Sequence, residues 1–174
     1  VNDNVSIDDL YAGFRELSTD AETIKTLHDE DQLLLEAVID SEEQHLQANE
    51  GVVLVDQRND SHTLLARHQG NSNSIKPLHW LHRAHLGRIK ARNREQSFAL
   101  DLLLDPSVAL VTLVGKAGTG KTLLAIAAGL HQVADTHDYA RLLVTRPPIS
   151  LGKDIGYLPG TLEEKLGPLS LIHI

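Results

Sequence analysis

The sequence predicts an α/β fold built on a parallel sheet, and three features of its second half carry that prediction. Residues 109–114 (ALVTLV) form a short, partly β-branched apolar run typical of a buried strand. Residues 123–130 (LLAIAAGL) have the composition of a buried helix, and residues 141–145 (RLLVT) are typical of a second strand that ends before two prolines. A helix precedes the first strand, so the order helix, strand, loop, helix, strand indicates the opening of a parallel α/β sheet.

Composition sets the class of protein. The chain has 174 residues, of which 41% are hydrophobic and 23% charged, as in an ordinary globular domain. No apolar run approaches the length of a membrane-spanning helix, so we expect no membrane segment. The sequence contains no cysteine, which fits a cytoplasmic protein. Aromatic residues make up only 3%, which argues against a surface that stacks nucleic-acid bases.

Both ends of the chain are unusual. The sequence has no methionine, and it stops in the apolar run of residues 169–174 (LSLIHI). We therefore expect an internal fragment of a longer protein, with residues 169–174 a non-native tail that is excluded from fold reasoning.

The loop between the predicted strand 109–114 and the helix after it has the composition of a phosphate-binding loop. Residues 115–122 read GKAGTGKT and match the pattern G-x-x-x-x-G-K-[ST]. A glycine-rich turn from a strand into a helix lets successive backbone N–H groups surround a phosphate chain. We expect Lys121 to contact the β- and γ-phosphates as the catalytic residue, and the Thr122 hydroxyl to bind Mg²⁺. The predicted site for a nucleoside triphosphate such as ATP comprises Gly115, Lys116, Ala117, Gly118, Thr119, Gly120, Lys121 and Thr122.

Gln96 has two possible roles. Asn93 is a good N-cap for the helix before the first strand, and a glutamine three residues later completes a capping box. A carboxamide can also donate to and accept from adenine at once, and helicase-like ATPases place such a glutamine one helix and one strand before the phosphate loop. The sequence leaves both the cap and the adenine contact open.

Charge is distributed unevenly. Residues 1–60 contain 16 acidic and 3 basic residues, whereas residues 61–94 contain no acid and seven Lys or Arg. This basic island is compatible with contacts to a nucleic-acid backbone, and equally with a basic face that pairs with the acidic N-terminal third. Arg146 and Lys153, in the loop after the second strand, are further candidates for phosphate contacts. The basic residues of the island are Arg67, Lys76, Arg83, Arg88, Lys90, Arg92 and Arg94.

The region before the basic island predicts a small β-containing appendage. Residues 1–19 have apolar residues at roughly helical spacing, and residues 21–28 and 31–46 predict two acidic amphipathic helices. Residues 52–56 and 63–67 predict a hairpin that turns at residues 59–61, within an appendage of about residues 45–80. Asp56 ends an apolar strand, as an Mg²⁺-supporting acid does, but its place before the loop favours a simple turn residue.

Two other chemical features are weak or missing. His79, His82 and His85 share a spacing of three, but no acid lies near them in sequence, so partly exposed histidines are favoured over a metal site. No apolar strand that ends in Asp or Glu follows Thr122. Because hydrolysis needs such groups to support Mg²⁺ and orient water, this chain alone is expected to hydrolyse a nucleotide poorly.

The motifs together resemble the PhoH family of ATPases. The resemblance rests on residues 92–106 (RNREQSFALDLLLDP), 113–122 (LVGKAGTGKT), 144–147 (VTRP), 151–160 (LGKDIGYLPG) and 163–165 (EEK), and it covers about residues 90–168. A weaker resemblance, from residues 10–13 (LYAG) through the hairpin, is to the linker of PIN–PhoH fusion proteins. The PhoH resemblance implies a P-loop, RecA/helicase-like sheet in residues 90–168. The weaker resemblance implies that residues 1–89 are a linker that follows a PIN ribonuclease domain.

That resemblance implies a helicase-like ATPase with ATP and Mg²⁺ as cofactors, linked to RNA cleavage, with RNA as a partner and homo-oligomers possible. Two other function classes stay open. One is a P-loop kinase that transfers a phosphoryl group to a small molecule, and the other is a nucleic-acid-binding module without ATPase activity, driven by residues 61–94.

Overall fold

The computed structural model describes residues 13–39, 45–70, 72–79, 86 and 89–145. The described residues up to Tyr139 belong to one compact unit, and those from Ala140 to a second. In the second unit, residues 141–145 are irregular and largely exposed, so the strand predicted there is not formed. No helix in the described ranges has both the length and the apolar character needed to cross a membrane.

A mixed five-stranded sheet dominates the first unit. Its strands are β1 (Phe14–Thr19), β2 (Leu33–Leu34), β3 (Gly51–Asp56), β4 (Asn59–Gln69) and β5 (Ser74–Pro77). They lie in the order β1-β3-β4-β5-β2. The β1–β3 pair is parallel, and the other pairs are antiparallel. With the helices that cover it, this sheet confirms the α/β class.

Helix α1 (Ala21–Glu30) covers one face of the sheet. Asp20 begins the helix, because its carboxylate accepts the backbone N–H of Thr23 at 2.8 Å. That hydrogen bond is the main reason that the pKa of Asp20 lies below its usual range. The apolar core on this face comprises Leu17, Ile24, Leu27, Leu35, Leu46, Val52, Leu54, Ala66 and Ile75.

The helix predicted over residues 31–46 is wrong, and the helical spacing noted in residues 1–19 does not correspond to a helix at residues 14–19. Residues 14–19 form β1, and its Leu17 and Thr19 are buried on alternate positions, as in a strand. Residues 33–39 contain β2 and a 3₁₀ turn at Leu35–Ala37 in place of the helix predicted over residues 31–46, of which 40–44 lie outside the described ranges. Pairing with β3 and β5 supplies the backbone hydrogen bonds of both segments, and these contacts between distant residues outweigh the local helical spacing.

The predicted hairpin is confirmed, but its turn lies earlier in the chain. Strand β4 already begins at Asn59, so the turn is made by Gln57 and Arg58. The Asp56 carboxylate accepts the backbone N–H of Arg58 at 2.9 Å and contacts His62 at 3.1 Å. These bonds hold the pKa of Asp56 below its usual range, with the Arg58 bond contributing most. Asp56 is thus a turn residue, as the sequence favoured.

Helix α2 (Arg94–Leu104) packs on the other face of the sheet. The rings of Phe98 on α2 and Phe14 on β1 are stacked, with centroids 5.2 Å apart. They meet over Gly51, where an added Cβ would lie 2.7 Å from the Phe98 ring and 2.8 Å from the Phe14 Cβ. A glycine at this position therefore lets the helix approach β3 closely.

Gly51→Ala is expected to lower the free energy of unfolding by about 1–3 kcal/mol, the usual cost of forcing an extra carbon into a packed core. The measurement is urea denaturation followed by circular dichroism. In a Phe98→Leu background the ring atoms nearest the new Cβ are gone, so the same substitution should cost less there. Equal losses in both backgrounds would contradict the assigned contact.

Helix α3 (Lys121–Ala134), which contains the helix predicted at residues 123–130, packs against α2. Leu100 and Leu104 of α2 form a core with Leu124 and Ala128 of α3. Gln132 also donates its Nε2 to the Leu103 carbonyl at 2.6 Å. These two helices form a pair that borders the predicted nucleotide loop.

The strand predicted at residues 109–114 is not formed. These residues are irregular, and the side chains of Leu110 and Val114 are 82% and 76% exposed. A strand of a parallel sheet is stabilised by hydrogen bonds to neighbouring strands. None of the residues in the described ranges pairs with 109–114, so the apolar pattern alone does not order it as a strand.

Candidate nucleotide-binding site

Residues 115–120 form an exposed loop that leads directly into α3. Gly118 and Gly120 have φ angles of 80° and 87°, in the left-handed region that favours glycine. Gly120 is the N-cap of α3, and its backbone turn starts the helix without a side-chain cap. The glycines of the motif are thus needed for the path of the backbone, as the sequence predicted.

The Lys121 ammonium lies over this loop. Its Nζ donates to the carbonyl oxygens of Gly115 at 2.8 Å and Lys116 at 2.6 Å, and it contacts Thr119 Oγ1 at 3.1 Å. Thr119 Oγ1 in turn donates to the Lys116 carbonyl at 2.9 Å. The Lys121 ammonium is the only charged group in this network, and its partners are all oxygen atoms of the loop.

The first turn of α3 has the electrostatics of an anion site. It contains no acidic residue, and Thr122 is exposed there. The unpaired backbone N–H groups of a helix start and the positive end of the helix dipole both favour a negatively charged ligand. The loop, Lys121 and this helix start therefore have the chemistry to accept phosphate groups. Thr122 lies in the first turn of α3, and its role as an Mg²⁺ ligand stays a prediction.

Gln96 touches the loop. Asn93 caps α2, since its Oδ1 accepts the Gln96 backbone N–H at 2.9 Å. The Gln96 Oε1 accepts the backbone N–H of Arg92 at 2.8 Å, and its Nε2 donates to the Thr119 carbonyl at 3.2 Å. The predicted cap by Asn93 is confirmed, but the glutamine bonds Arg92 in place of the Asn93 N–H.

The bridge from Gln96 to Thr119 was missed in the sequence, because it joins residues 23 positions apart. A Cβ added to Gly120 would lie 3.3 Å from the Gln96 Nε2, so the loop passes close to the helix. Both ends of the Gln96 carboxamide are hydrogen-bonded within the protein. The adenine contact stays a prediction: Nε2 retains a second N–H and Oε1 a second lone pair.

Two basic residues of the island form ion pairs with acidic residues of the same protein. Arg67 is buried and forms ion pairs with Asp101 and Asp105. Arg94 pairs with Glu16 and lies over the Phe14 ring, 5.1 Å from its centroid. The Arg94–Glu16 pair matches the expectation that the island pairs with the acidic N-terminal third. Arg83, Arg88, Arg146 and Lys153 lie outside the described residues.

Of the three evenly spaced histidines, only His79 lies in the described ranges. His79 Nε2 lies 3.1 Å from the Asp31 carboxylate, which α1 brings near although it is distant in sequence. His82 and His85 lie outside the described ranges. Among the residues that are described, no three His, Cys, Asp or Glu side chains are grouped as metal ligands.

Comparisons with known proteins place the site in a family. The model of the family "PhoH-like protein" matches residues 88–172, which include Gln96 and the whole loop. "Protein PhoH2" of Bacillus subtilis is 38% identical over 169 residues, which cover 97% of this chain and 37% of that protein. "Protein PhoH2" of Mycolicibacterium smegmatis is 51% identical over 81 residues, covering 46% of this chain and 18% of that protein.

The chain thus spans little more than a third of the first of these relatives and less than a fifth of the second. No solved structure matches it. The family match includes the loop of residues 115–122 and α2 with Gln96. Residues 88–172 of this chain therefore belong to the PhoH-like protein family.

Proposed function

We propose that this chain binds ATP with Mg²⁺ at residues 115–122, as the nucleotide-binding part of a PhoH-like ATPase. The observation that carries the proposal is the geometry of the loop at the start of α3. Left-handed Gly120 turns the backbone into an uncapped helix start, and Lys121 Nζ lies within 3.1 Å of three loop oxygens. A phosphate chain bound at this site could accept hydrogen bonds both from backbone N–H groups and from the Lys121 ammonium.

Each group has a distinct part in this function. The backbone N–H groups of residues 118–122 would surround the phosphates, and the Lys121 ammonium would exchange its bonds to loop oxygens for bonds to the β- and γ-phosphates. The Thr122 hydroxyl would help to hold Mg²⁺, which would offset the negative charge of the phosphates. Lys121 would also stabilise the charge that develops when the γ-phosphoryl group is transferred.

Hydrolysis needs residues beyond this set. After Thr122, the acidic residues in the described ranges are Asp135 and Asp138. Asp135 is hydrogen-bonded to His131 and Asp138 to Thr136, and both acids follow the C-terminal end of α3, whereas the loop precedes its N-terminal end. We therefore propose ATP hydrolysis for the longer protein and nucleotide binding for this chain.

The remaining parts of the proposal extend to that longer protein. We propose a cytoplasmic ATPase linked to RNA and to a PIN ribonuclease domain, with homo-oligomers possible. Lys90 and Arg92 are exposed beside α2, and both are candidates for phosphate contacts. A P-loop kinase is the alternative, and it predicts ATP turnover that requires a small-molecule acceptor and ignores RNA.

ATP titration with and without Mg²⁺ tests the site. Wild type should bind ATP saturably, and Thr122→Ala should weaken binding roughly tenfold with Mg²⁺ present, because it removes one metal ligand. In excess EDTA the two proteins should bind alike. Thr26→Ala on α1 is the matched control and should behave as wild type. Equal affinities of wild type and Thr122→Ala in Mg²⁺ would refute the metal role, and absent ATP binding by wild type would refute the proposed function.

A further inference from the structure

A buried ion cluster joins the sheet to α2. The Arg67 side chain, on β4, is only 5% exposed, with its Nε 3.0 Å from Asp101 Oδ2 and its Nη2 2.5 Å from Asp105 Oδ2. Its Nη1 donates to Asn49 Oδ1 at 3.0 Å. Asp101 lies in α2, and Asp105 is the C-cap of that helix. One guanidinium therefore holds two carboxylates that are one helical turn apart.

This cluster links α2 to β4 through directed polar contacts, beside the apolar packing of the helix. A guanidinium is planar and its donors are fixed in direction, so the Asp105 carboxylate, which accepts from Nη2, has little freedom to slide or rotate. Asp101 lies within ion-pair distance of Nε, which makes no hydrogen bond with the described residues. Burial by itself would raise the pKa of the Asp105 carboxyl, but hydrogen bonds from Ser107 and Arg67 outweigh burial and hold it below the usual range. Asp105 is thus charged at neutral pH, and the ion pair is maintained.

The N-terminal end of α2 contacts the nucleotide loop, residues 115–120. Gln96, in the first turn of α2, donates to the Thr119 carbonyl, and Gly120 passes beside its carboxamide. The apolar side of α2 packs on α3, which begins at Lys121. A displacement of α2 would therefore move both the Thr119 carbonyl and the helix start that follows it.

We propose that Arg67 is a positioning residue for the nucleotide loop. Its ion pairs with Asp101 and Asp105 set the place of α2 on the sheet, and α2 transmits that placement through Gln96 to the Thr119 carbonyl. A residue of the β-sheet region, 48 positions before the loop begins, thereby controls the geometry of the phosphate site. The effect of this placement on ATP affinity rests on the proposed function, whereas its effect on the loop itself does not.

The first test measures the NMR signals of the loop in the absence of nucleotide. In ¹H–¹⁵N NMR spectra, Arg67→Lys should shift the backbone amides of residues 116–122 and the side-chain amide of Gln96, because lysine has no fork for two carboxylates. Arg15→Lys is the matched control: Arg15 forms an ion pair with the buried Glu50 at 2.6 Å, and alternation along β1 puts it on the face of Leu17, which α1 covers. It should leave the loop signals in place.

If Arg67→Lys does not fold, Asp105→Asn replaces it, since the asparagine carbonyl can still accept from Ser107 while the charge is lost. Shifts confined to residues near Asp101 and Asp105, with the loop and Gln96 signals unchanged, would overturn the proposal. So would equal loop shifts in Arg15→Lys.

The second test measures ATP affinity in a double-mutant cycle. Arg67→Lys and Gln96→Ala should each weaken binding roughly three- to tenfold, and the double variant should be little worse than either, because both act through one helix. Multiplicative losses would overturn the shared route. If wild type fails to bind ATP while the loop signals respond to Arg67→Lys, the proposed function falls and the positioning role stands.

Discussion

Lys121→Ala is expected to raise the Kd for Mg-ATP by about 10- to 100-fold, since a charge-assisted hydrogen bond contributes about 1.5–3 kcal/mol. The substitution removes the only ammonium that reaches the inner side of the loop among the described residues. The backbone path should persist, because Gly118 and Gly120, and not the lysine, set the left-handed turns. The loss should therefore appear in binding and not in folding.

Isothermal titration calorimetry on wild type and Lys121→Ala checks this expectation, with thermal unfolding as the folding control. Lys25→Ala is the matched variant, because Lys25 is an exposed lysine on α1 in the sheet region. It removes the same charge and should bind ATP as wild type does. An unchanged Kd in Lys121→Ala would contradict the assignment of residues 115–122 as a phosphate-binding loop. An equal loss of ATP affinity in Lys25→Ala would show that net charge alone causes the effect.

Arg67→Met is expected to lower the free energy of unfolding by about 3–5 kcal/mol, the usual loss when one partner of a buried ion pair is removed. Asp101 and Asp105 are 1% and 8% exposed, so each carboxylate would lose an ion pair in a region of low dielectric. The pKa of Asp105 is held down partly by Arg67, and we expect it to rise in the variant. Stability lost in this way reflects uncompensated charge more than lost packing.

Urea denaturation of a charge-free triple variant separates these causes. Arg67→Met combined with Asp101→Leu and Asp105→Asn removes all three charges, and it should recover at least half of the stability that the single variant loses. A single-variant loss below about 1 kcal/mol would show that the pair is screened by water. A triple variant less stable than Arg67→Met would show that packing around the guanidinium, and not charge, dominates.

The local features of this fold were predictable from the sequence. The hairpin of β3 and β4, helices α1 and α3 and the Asn93 cap each follow from neighbouring residues: alternating apolar residues, a helical period, a polar residue before a helix. The segments in which the structure differs from the sequence pattern depend on distant partners. Residues 14–19 form a strand because β3 pairs with them, and residues 109–114 form none because no described strand pairs with them.

The candidate site divides in the same way. By itself, the sequence determined the backbone path of the loop at residues 115–122, because its glycines act through local geometry within eight consecutive residues. Only the tertiary structure decided that Gln96 bonds the Thr119 carbonyl and that Arg67 is a buried partner of Asp101 and Asp105. A run of positive charge looks the same in sequence whether it faces solvent or an acid from another element. The partner that neutralises a buried charge is chosen by the packing of whole helices and strands, which no local pattern records.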